Sequence, residues 1–241
     1  MVSPRWGARL SRNIYLDGEY ARHNPTFAIE DSPWKARQVL KAITRNKLTP
    51  SVVCEVGCGA GEILRQLQLA MPPHVTFVGY DISPDAIGVA QTRANERLRF
   101  RCADFITTPT AAHDLLLCLD VFEHVPDYLG FLEALRLRSE YKVFHIPLDL
   151  SVQWLLRMNP ILKERELVGH LHHFTRETAL ETLAWANYEV VDWFYTAGAL
   201  DLPDKSFKQR LARVPRRLAY SLSPDLTVRI LGGYALLVVA R

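Results

Sequence analysis

The sequence predicts an α/β fold in which a mostly parallel sheet carries helices on both faces. From residue 51 onward, short apolar segments alternate with helical segments, which is typical of a doubly wound sheet. Two of the predicted strands, 75–80 and 115–119, are apolar at nearly every position, so we expect both faces of the sheet to be covered. A glycine-rich turn joins the first predicted strand to the next helix, as in folds that bind ligands beyond the carboxyl ends of their strands.

Start signals and apolar periodicity predict each element in turn. Ser32-Pro33 is typical of a helix start, and that helix runs toward Asn46. The α/β alternation then predicts strand 51–56, helix 61–70, strand 75–80, helix 84–95, strand 98–102, strand 114–119, helix 128–138 and strand 141–146. Beyond Pro147 we expect a helical insertion around 151–158, a helix over 176–186, a strand over 188–195 and a closing strand within 233–240.

Length and composition favour one domain over 1–241. A chain of 241 residues that is 49% hydrophobic can bury one substantial core. We expect residues 1–32 to form an ordered cap and residues 33–241 to form the sheet domain, with insertions at 148–175 and 197–228. Neither a secretory signal nor an apolar run of bilayer-spanning length is present, so we expect a soluble, cytoplasmic protein with no transmembrane segment.

The charge pattern bounds the choice of partners. Net charge is +3, and no run of basic and aromatic residues typical of a nucleic-acid channel is present, so no nucleic-acid partner is expected. The basic residues cluster at 205–217, which is the pattern of a solvated helix face. Contact of this segment with an anionic lipid surface or a phosphate-bearing carrier is the alternative.

The glycine turn follows the first strand directly. Gly57, Gly59 and Gly61 allow positive φ and leave the backbone amides open to a ligand. A dinucleotide site has the spacing G-x-G-x-x-G, whereas this chain reads G-x-G-x-G and has Glu62 where the third glycine would lie. Glu55, two residues before the turn, suits a cationic ligand better than a pyrophosphate.

These residues match, at every fixed position, the motif E-x-G-x-G-x-G, and the chain therefore resembles class I S-adenosylmethionine-dependent methyltransferases. The resemblance covers roughly 33–196 and the closing strand. It implies a Rossmann-like, seven-stranded sheet of order 3-2-1-4-5-7-6 with an antiparallel last strand, and S-adenosyl-L-methionine as cofactor. It also implies cofactor contacts from the turn, namely Glu55, Gly57, Cys58, Gly59 and Gly61.

Further cofactor contacts are expected at three strand ends. Asp81, followed by Ile82, ends the second strand, where a carboxylate can accept both hydroxyl hydrogens of a ribose; a helix-capping role is the alternative. The resemblance implies that Asp104 bonds the adenine amino group and that Phe105 contacts the ring face. The simpler interpretation is a strand-ending Asp beside a buried Phe. Asp120, at the end of the fourth strand, is expected at the edge of the cofactor.

Methyl transfer from a sulfonium requires mainly positioning, with a base if the acceptor is a hydroxyl. His124 and His173 are the candidate catalytic residues, with the segment 169–174 folding over the site. In one alternative, resembling the E-x-x-E-H pattern of ubiquinone and small-RNA methyltransferases, Asp120, Glu123, His124 and His173 bind a divalent metal. In another, the histidines are structural. No metal is included in the preferred interpretation.

The resulting functional prediction is an S-adenosylmethionine-dependent methyltransferase that acts on a small-molecule, glycan or lipid-linked acceptor. Methylation at oxygen is favoured over methylation at nitrogen or carbon. An NAD-dependent oxidoreductase is one alternative, opposed by Glu55 and Glu62. A catalytically silent methyltransferase-like binding domain is the other. Tyr15, Tyr20 and Phe27 of the cap could stack on the cofactor or the acceptor, or simply pack in the core.

Overall fold

Seven strands form one sheet in the order β3-β2-β1-β4-β5-β7-β6. The computed structural model describes residues 14–157, 159–203 and 207–241. Strand β7 is antiparallel to both of its neighbours, and the other strand pairs are parallel. The expected order and the antiparallel last strand are therefore confirmed. The strands are β1 Val52–Val56, β2 Thr76–Asp81, β3 Leu98–Cys102, β4 His113–Leu119, β5 Ser139–Pro147, β6 Val190–Thr196 and β7 Ala235–Ala240.

The helices follow the sequence prediction, with one helix shortened and four short helices added at 19–23, 159–167, 198–201 and 224–230. The shortened helix, expected over 84–95, ends at Ala90 and continues as a short 3-10 turn. Within the described ranges, no helix is long and apolar enough to cross a bilayer. The helices are α1 Glu19–His23, α2 Ser32–Arg45, α3 Glu62–Ala70, α4 Pro84–Ala90, α5 Tyr128–Arg136, α6 Val152–Arg157, α7 Asn159–Leu167, α8 Arg176–Trp185, α9 Gly198–Asp201, α10 Phe207–Leu222 and α11 Pro224–Ile230.

Side-chain caps start several of these helices. The Ser83 hydroxyl accepts a hydrogen bond from the Ala86 amide at the start of α4. Thr175 forms a reciprocal capping box with Thr178 at the start of α8. The expected cap at Ser32 is wrong, because a 3-10 turn over Ile29–Asp31 runs directly into α2 and makes Ser32 its first helical residue.

The sheet has a hydrophobic cluster on each face. Along β4, Leu115, Leu117 and Leu119 join one cluster, which includes the apolar sides of α2, α3 and α4. The alternating residues Leu116 and Cys118 join the other cluster, which includes residues of α5 and α8. Because both faces are buried, the strands can be apolar at successive positions, as the sequence predicted.

The segment 14–31 lies over the carboxyl edge of the sheet. The Tyr15 hydroxyl donates to the Val168 carbonyl at 2.7 Å, and the Asn24 side-chain amide donates to the Leu167 carbonyl at 3.1 Å. The ring of Tyr20 lies 5.0 Å from that of Tyr15, measured between centroids. Residues 1–13 of the expected cap, like residues 205–206 of the basic segment, lie outside the described residues.

The third glycine of the turn gives a test of packing. A Cβ on Gly61 would lie 2.4 Å from the Phe100 ring, and Gly61 has φ +74°. We expect Gly61→Ala to lower the free energy of unfolding by at least about 2 kcal/mol, from overpacking and left-handed strain together. Gly88→Ala is the matched control, because Gly88 lies in α4 facing open space; it should stabilise by about 0.5–1 kcal/mol. Chemical denaturation measures both, and equal stabilities would contradict the packing argument.

Candidate active site

The three glycines of the turn have different neighbours although all have positive φ. A Cβ on Gly57 would lie 2.5 Å from Val121, and one on Gly61 would clash with Phe100. A Cβ on Gly59 would meet no atom within 4 Å. Gly57 and Gly61 are therefore required by packing inside the protein. Gly59 alone leaves open space at the crest of the turn, where a ligand could lie.

The amides of the turn are already hydrogen-bonded within the protein. Gly57 and Cys58 both donate to the Tyr80 carbonyl, at 2.8 and 3.0 Å, and Gly59 donates to the Asp81 carboxylate at 2.8 Å. The expected cradle of open amides is thus corrected, because these three donors have partners. The Cys58 side chain is buried in the core, so it does not line the open space either.

Asp81 is held rigidly beside this open space. One carboxylate oxygen accepts from the Gly59 amide and the other from the Ser83 amide at 2.8 Å. Burial raises the pKa of Asp81, and these amide bonds oppose the rise. Each oxygen retains a lone pair with which it can accept a ligand hydroxyl. Ile82, the next residue, is exposed and offers an apolar surface at the same strand end.

The two residues expected to contact adenine, just after β3, differ in their exposure. Asp104 is exposed, and its carboxylate accepts a hydrogen bond from the Ile106 amide at 2.9 Å. Phe105 is buried and packs edge-on against Tyr80, with ring centroids 5.0 Å apart. The Phe105 ring thus packs in the core, as the simpler interpretation has it, and its contact with adenine stays a prediction.

Glu55 is a buried carboxylate with an unsatisfied oxygen. It is 1% exposed, and its Oε2 atom has no hydrogen-bond partner. Burial raises its pKa well above the usual value; the Lys35 ammonium opposes this, while Asp81 and Asp120 add to it. A buried acid among other acids is costly unless it is protonated or meets a cation. The position therefore suits a positively charged ligand group.

Asp120 is engaged in a network that the sequence did not reveal. Its carboxylate lies 2.5 Å from Lys35 Nζ and 2.5 Å from His145 Nδ1, and Nε2 of the same ring lies 2.8 Å from Thr196 Oγ1. Burial alone would raise the pKa of Asp120, but His145 and Lys35 lower it overall. Asp120 has φ +55°, outside the usual range for a residue with a side chain.

This network affects the role expected of Asp120. Both of its carboxylate oxygens already accept hydrogen bonds from protein groups, so it acts first as an anchor for Lys35 and His145. Lys35 gave no sequence signal, because a lysine in the first turn of a surface helix is common. His145 did give one, since it interrupts the otherwise apolar strand 143–146.

The segment 169–173 docks onto the turn that follows β4. The amides of Leu171 and His172 donate to the Glu123 carbonyl at 2.9 and 3.0 Å. The His170 ring packs edge-on against His124, with centroids 4.8 Å apart. The histidine segment and the end of β4 thus form one surface, although about 45 residues separate them along the chain.

Asp149, which the sequence reasoning did not single out, joins two of these histidines. Its Oδ2 atom lies 2.7 Å from His170 Nδ1 and 3.3 Å from His173 Nδ1. Burial lowers the pKa of His170, but the bond to Asp149 raises it overall. Burial would likewise raise the pKa of Asp149, and its two histidine partners lower it. The result is a carboxylate that contacts two imidazoles and stabilises the protonated form of His170.

Glu123 and His124 are uncharged at neutral pH for the same reason, which is burial. Glu123 is 1% exposed, and neither carboxylate oxygen has a hydrogen-bond partner. Burial and the charge of Asp120 raise the pKa of Glu123 to about 8, with His170 opposing. Burial and the charge of His170 lower the pKa of His124 to about 4. His124 is therefore a neutral imidazole and a weak base.

Two groups within the described part of the chain could hold a metal ion. One consists of Glu123, His124 and His170, and the other of Asp149, His170 and His173, with possible ligand atoms within 4.8 Å of one another. Asp120 belongs to neither group, because Lys35 and His145 hold it. The four residues that the sequence suggested as metal ligands therefore do not form one group. Glu123 and His124 lie in the first group and His173 in the second, and the other members are His170 and Asp149.

Comparison with known proteins identifies the family. A family model described as a methyltransferase domain matches residues 28–192. The chain belongs to this methyltransferase family. The resemblance to class I methyltransferases that the glycine motif suggested is thereby confirmed, and the observed strand order agrees with it.

Individual relatives of this methyltransferase-domain chain are distant. It is 29% identical over 134 residues to a malonyl-[acyl-carrier protein] O-methyltransferase of Paenibacillus sp., covering 51% of this chain and 47% of the relative. It is 33% identical over 81 residues to a ubiquinone biosynthesis O-methyltransferase of Aromatoleum aromaticum, covering 31% and 33%. The chain thus spans about half, or less, of the length of these curated relatives.

A solved structure shows the same fold. The magnesium protoporphyrin IX methyltransferase of Synechocystis, crystallised with bound SAH, superposes with a TM-score of 0.57. The alignment covers 86% of this chain and 81% of that one at 16% identity. At this identity, the likeness concerns the fold alone.

The raised pKa of Glu123 predicts a pH-dependent stability. The folded state keeps the proton of Glu123 up to about pH 8, whereas an unfolded glutamate loses it near its ordinary value of 4.5, so this contribution to stability is lost as the pH rises between the two. Glu123→Gln cannot ionise and should therefore lose less stability than the parent between pH 5 and pH 9, by more than about 1 kcal/mol.

Urea unfolding across this pH range measures the difference. Glu133→Gln, an exposed substitution on α5, is the control and should follow the parent profile. Parallel profiles for the parent and Glu123→Gln would show that Glu123 does not carry the proton.

Proposed function

We propose that the chain binds S-adenosylmethionine at the glycine turn and transfers its methyl group to an acceptor. The observation that carries this proposal is the unsatisfied, buried carboxylate of Glu55 near the open crest at Gly59. Membership of a methyltransferase family supports the same cofactor. An NAD-dependent oxidoreductase is not retained, because that family membership argues against it.

The residues at the edge of the sheet match the chemistry of this cofactor. Its ammonium and sulfonium charges suit the acids Glu55 and Asp81, whose mutual repulsion a cation would relieve. Asp81, fixed by two amides, would accept the ribose hydroxyls. Ile82 and Asp104, both exposed at neighbouring strand ends, would contact the adenine.

Bound S-adenosylmethionine supplies a methyl group that is already activated as a sulfonium. The protein must therefore hold the acceptor in line with that group and exclude water, effects worth about 7–11 kcal/mol when geometry is ideal. Tyr15 is suited to the second task, because its ring lies 5.8 Å from that of His124 between centroids and its hydroxyl donates to the Val168 carbonyl. Burial raises its pKa, and Tyr20, Glu123 and Asp81 raise it further, so the hydroxyl stays protonated.

We propose His173 as the general base and His124 as a neutral hydrogen-bonding partner of the acceptor. Asp149 lies 3.3 Å from His173 Nδ1, so it can orient the ring and stabilise the imidazolium that forms when the acceptor loses its proton. The low pKa of His124 keeps it neutral and makes it a poor base, although it can still accept a hydrogen bond.

We propose oxygen as the acceptor atom. A hydroxyl must lose a proton as it attacks, and the Asp149–His173 pair supplies a base for that step. The curated relatives described above are named as O-methyltransferases, which supports the same chemistry. The acceptor is proposed to be a small molecule, including one that is glycan- or lipid-linked. A catalytically silent binding domain is the competing proposal, and turnover decides between them.

Cofactor binding tests the first half of the proposal. Gly59→Val should abolish binding of S-adenosylhomocysteine, because a branched side chain would fill the open crest. Asp81→Ala should weaken binding about 10- to 100-fold through loss of charge-assisted hydrogen bonds. Isothermal calorimetry measures both, circular dichroism checks the fold, and Gly88→Ala is the control with parent affinity. Unchanged affinity in Asp81→Ala would remove the ribose assignment.

Turnover tests the second half. His173→Ala should lower kcat by about 10²–10⁴-fold while S-adenosylhomocysteine affinity stays near that of the parent, because a base acts on the acceptor. Asp149→Asn should lower kcat as well, because the His173 ring loses the carboxylate that orients it. Formation of S-adenosylhomocysteine reports the rate with any hydroxyl acceptor that supports turnover.

The exposed His23→Ala is the control for these substitutions and should turn over at the parent rate. Chelation by EDTA should leave the rate unchanged. Loss of activity on chelation, restored by a divalent ion, would instead favour the metal alternative at Asp149, His170 and His173.

A further inference from the structure

Helix α10 turns its apolar side away from the protein. Leu211, Val214, Leu218 and Leu222, here called the α10 stripe, recur at helical spacing and are between 61% and 78% exposed. An amphipathic helix normally packs such a stripe against the core. Four large apolar side chains in water on one helix face are unfavourable unless something covers them.

Polar contacts hold α10 in this orientation. Arg213 donates to the Leu202 carbonyl, and Arg216 donates to the Gly232 carbonyl at 2.6 Å. The Tyr220 ring stacks on that of Tyr234 at a centroid distance of 5.4 Å, with the planes 6° apart. These contacts occupy the inner face of the helix. The α10 stripe could turn inward only if they were broken.

The charged residues of α10 itself are all positive. The sequence over 207–222 contains no Asp or Glu, and Arg210 and Arg217 are exposed beside the stripe. A basic helix with an apolar face matches the surface of an anionic bilayer, where apolar side chains enter the acyl boundary and guanidinium groups meet phosphates. A second copy of this helix would instead bring arginines against arginines, with no acid to pair them.

Two neighbouring helices extend this surface. Gln153 of α6 accepts hydrogen bonds from both Arg216 and the Gly232 amide, which joins α6 to the α10–α11 unit. Leu156 of α6 and Leu226 of α11 are also exposed. Helix α6 follows the end of β5, and α10 and α11 precede the start of β7, where Ala235 pairs with Pro147. These three helices therefore lie at the carboxyl edge of the sheet, as does the glycine turn after β1.

We propose that the α10 stripe inserts into the surface of an anionic lipid bilayer, with Arg210 and Arg217 at the level of the headgroups. This goes beyond the proposed function, because lipid binding requires neither cofactor nor turnover. Where both hold, the membrane lies on the same edge of the sheet as the active site, and an acceptor anchored in the bilayer is the substrate class that this geometry favours.

Vesicle co-sedimentation of the full chain tests the proposal. The chain should bind vesicles of phosphatidylcholine mixed with phosphatidylglycerol and should not bind vesicles of phosphatidylcholine alone. The double variant Leu211→Gln/Leu218→Gln should weaken binding at least about 10-fold, because it removes two of the leucines that would enter the acyl boundary. Arg210→Gln/Arg217→Gln should also weaken binding, about 10-fold, and should flatten its salt dependence.

The matched control is Leu69→Gln/Leu137→Gln, whose parent side chains are 68% and 80% exposed elsewhere on the surface and whose vesicle binding should equal that of the parent. Absence of parent binding to the anionic vesicles, or equal binding by the stripe variant, overturns the proposal. So does a parent dimer that Leu211→Gln/Leu218→Gln converts to monomer, because the stripe would then join two copies. Calorimetry with S-adenosylhomocysteine on the same samples tests the proposed function separately.

Discussion

The arrangement of the active-site edge depends on one carbonyl. Tyr80, near the end of β2, accepts the amides of both Gly57 and Cys58, and this pair of bonds folds the glycine turn back over the second strand. The left-handed backbone that results can form only because side chains are absent where Val121 and Phe100 pack. The turn is therefore preorganised before any ligand binds, and the space above Gly59 is set by the sheet itself.

Buried acids give this edge its chemical character. Glu55, Asp81 and Asp120 come from three adjacent strands, and Asp120 is paired with Lys35 and His145. The Oε2 atom of Glu55 has no hydrogen-bond partner, and burial, together with the charges of Asp81 and Asp120, raises the pKa of Glu55 well above its usual value. Such a site binds a cation favourably because the ligand supplies what the protein lacks, and it disfavours a pyrophosphate by the same repulsion. Selection between cofactors is thus electrostatic as well as steric.

The sequence predicted the sheet almost completely, because its strands are apolar on both faces and its turns are marked by glycine, serine and proline. It located Gly59 and Asp81 because a short motif fixes their neighbours. It could not locate Lys35 or Asp149, which reach the site through tertiary contacts from separate elements. His145 interrupts an apolar strand, but its bond to Asp120 is visible only in the structure. The sequence left the role of Phe105 open, since the same residue pattern serves a buried ring and an exposed one equally well.

The hydrogen bond from Tyr15 to the Val168 carbonyl links the N-terminal segment to the segment that carries the histidines. The first is proposed to lie over the cofactor and the second over the acceptor. The N-terminal segment lies above the glycine turn, and the segment beginning at 168 carries the histidines. If the cofactor and the acceptor each require this hydrogen bond to break before they enter, the first ligand to bind breaks it and the second does not have to. By thermodynamic reciprocity the two ligands would then favour each other's binding, because the cost of breaking the Tyr15 bond is met only once.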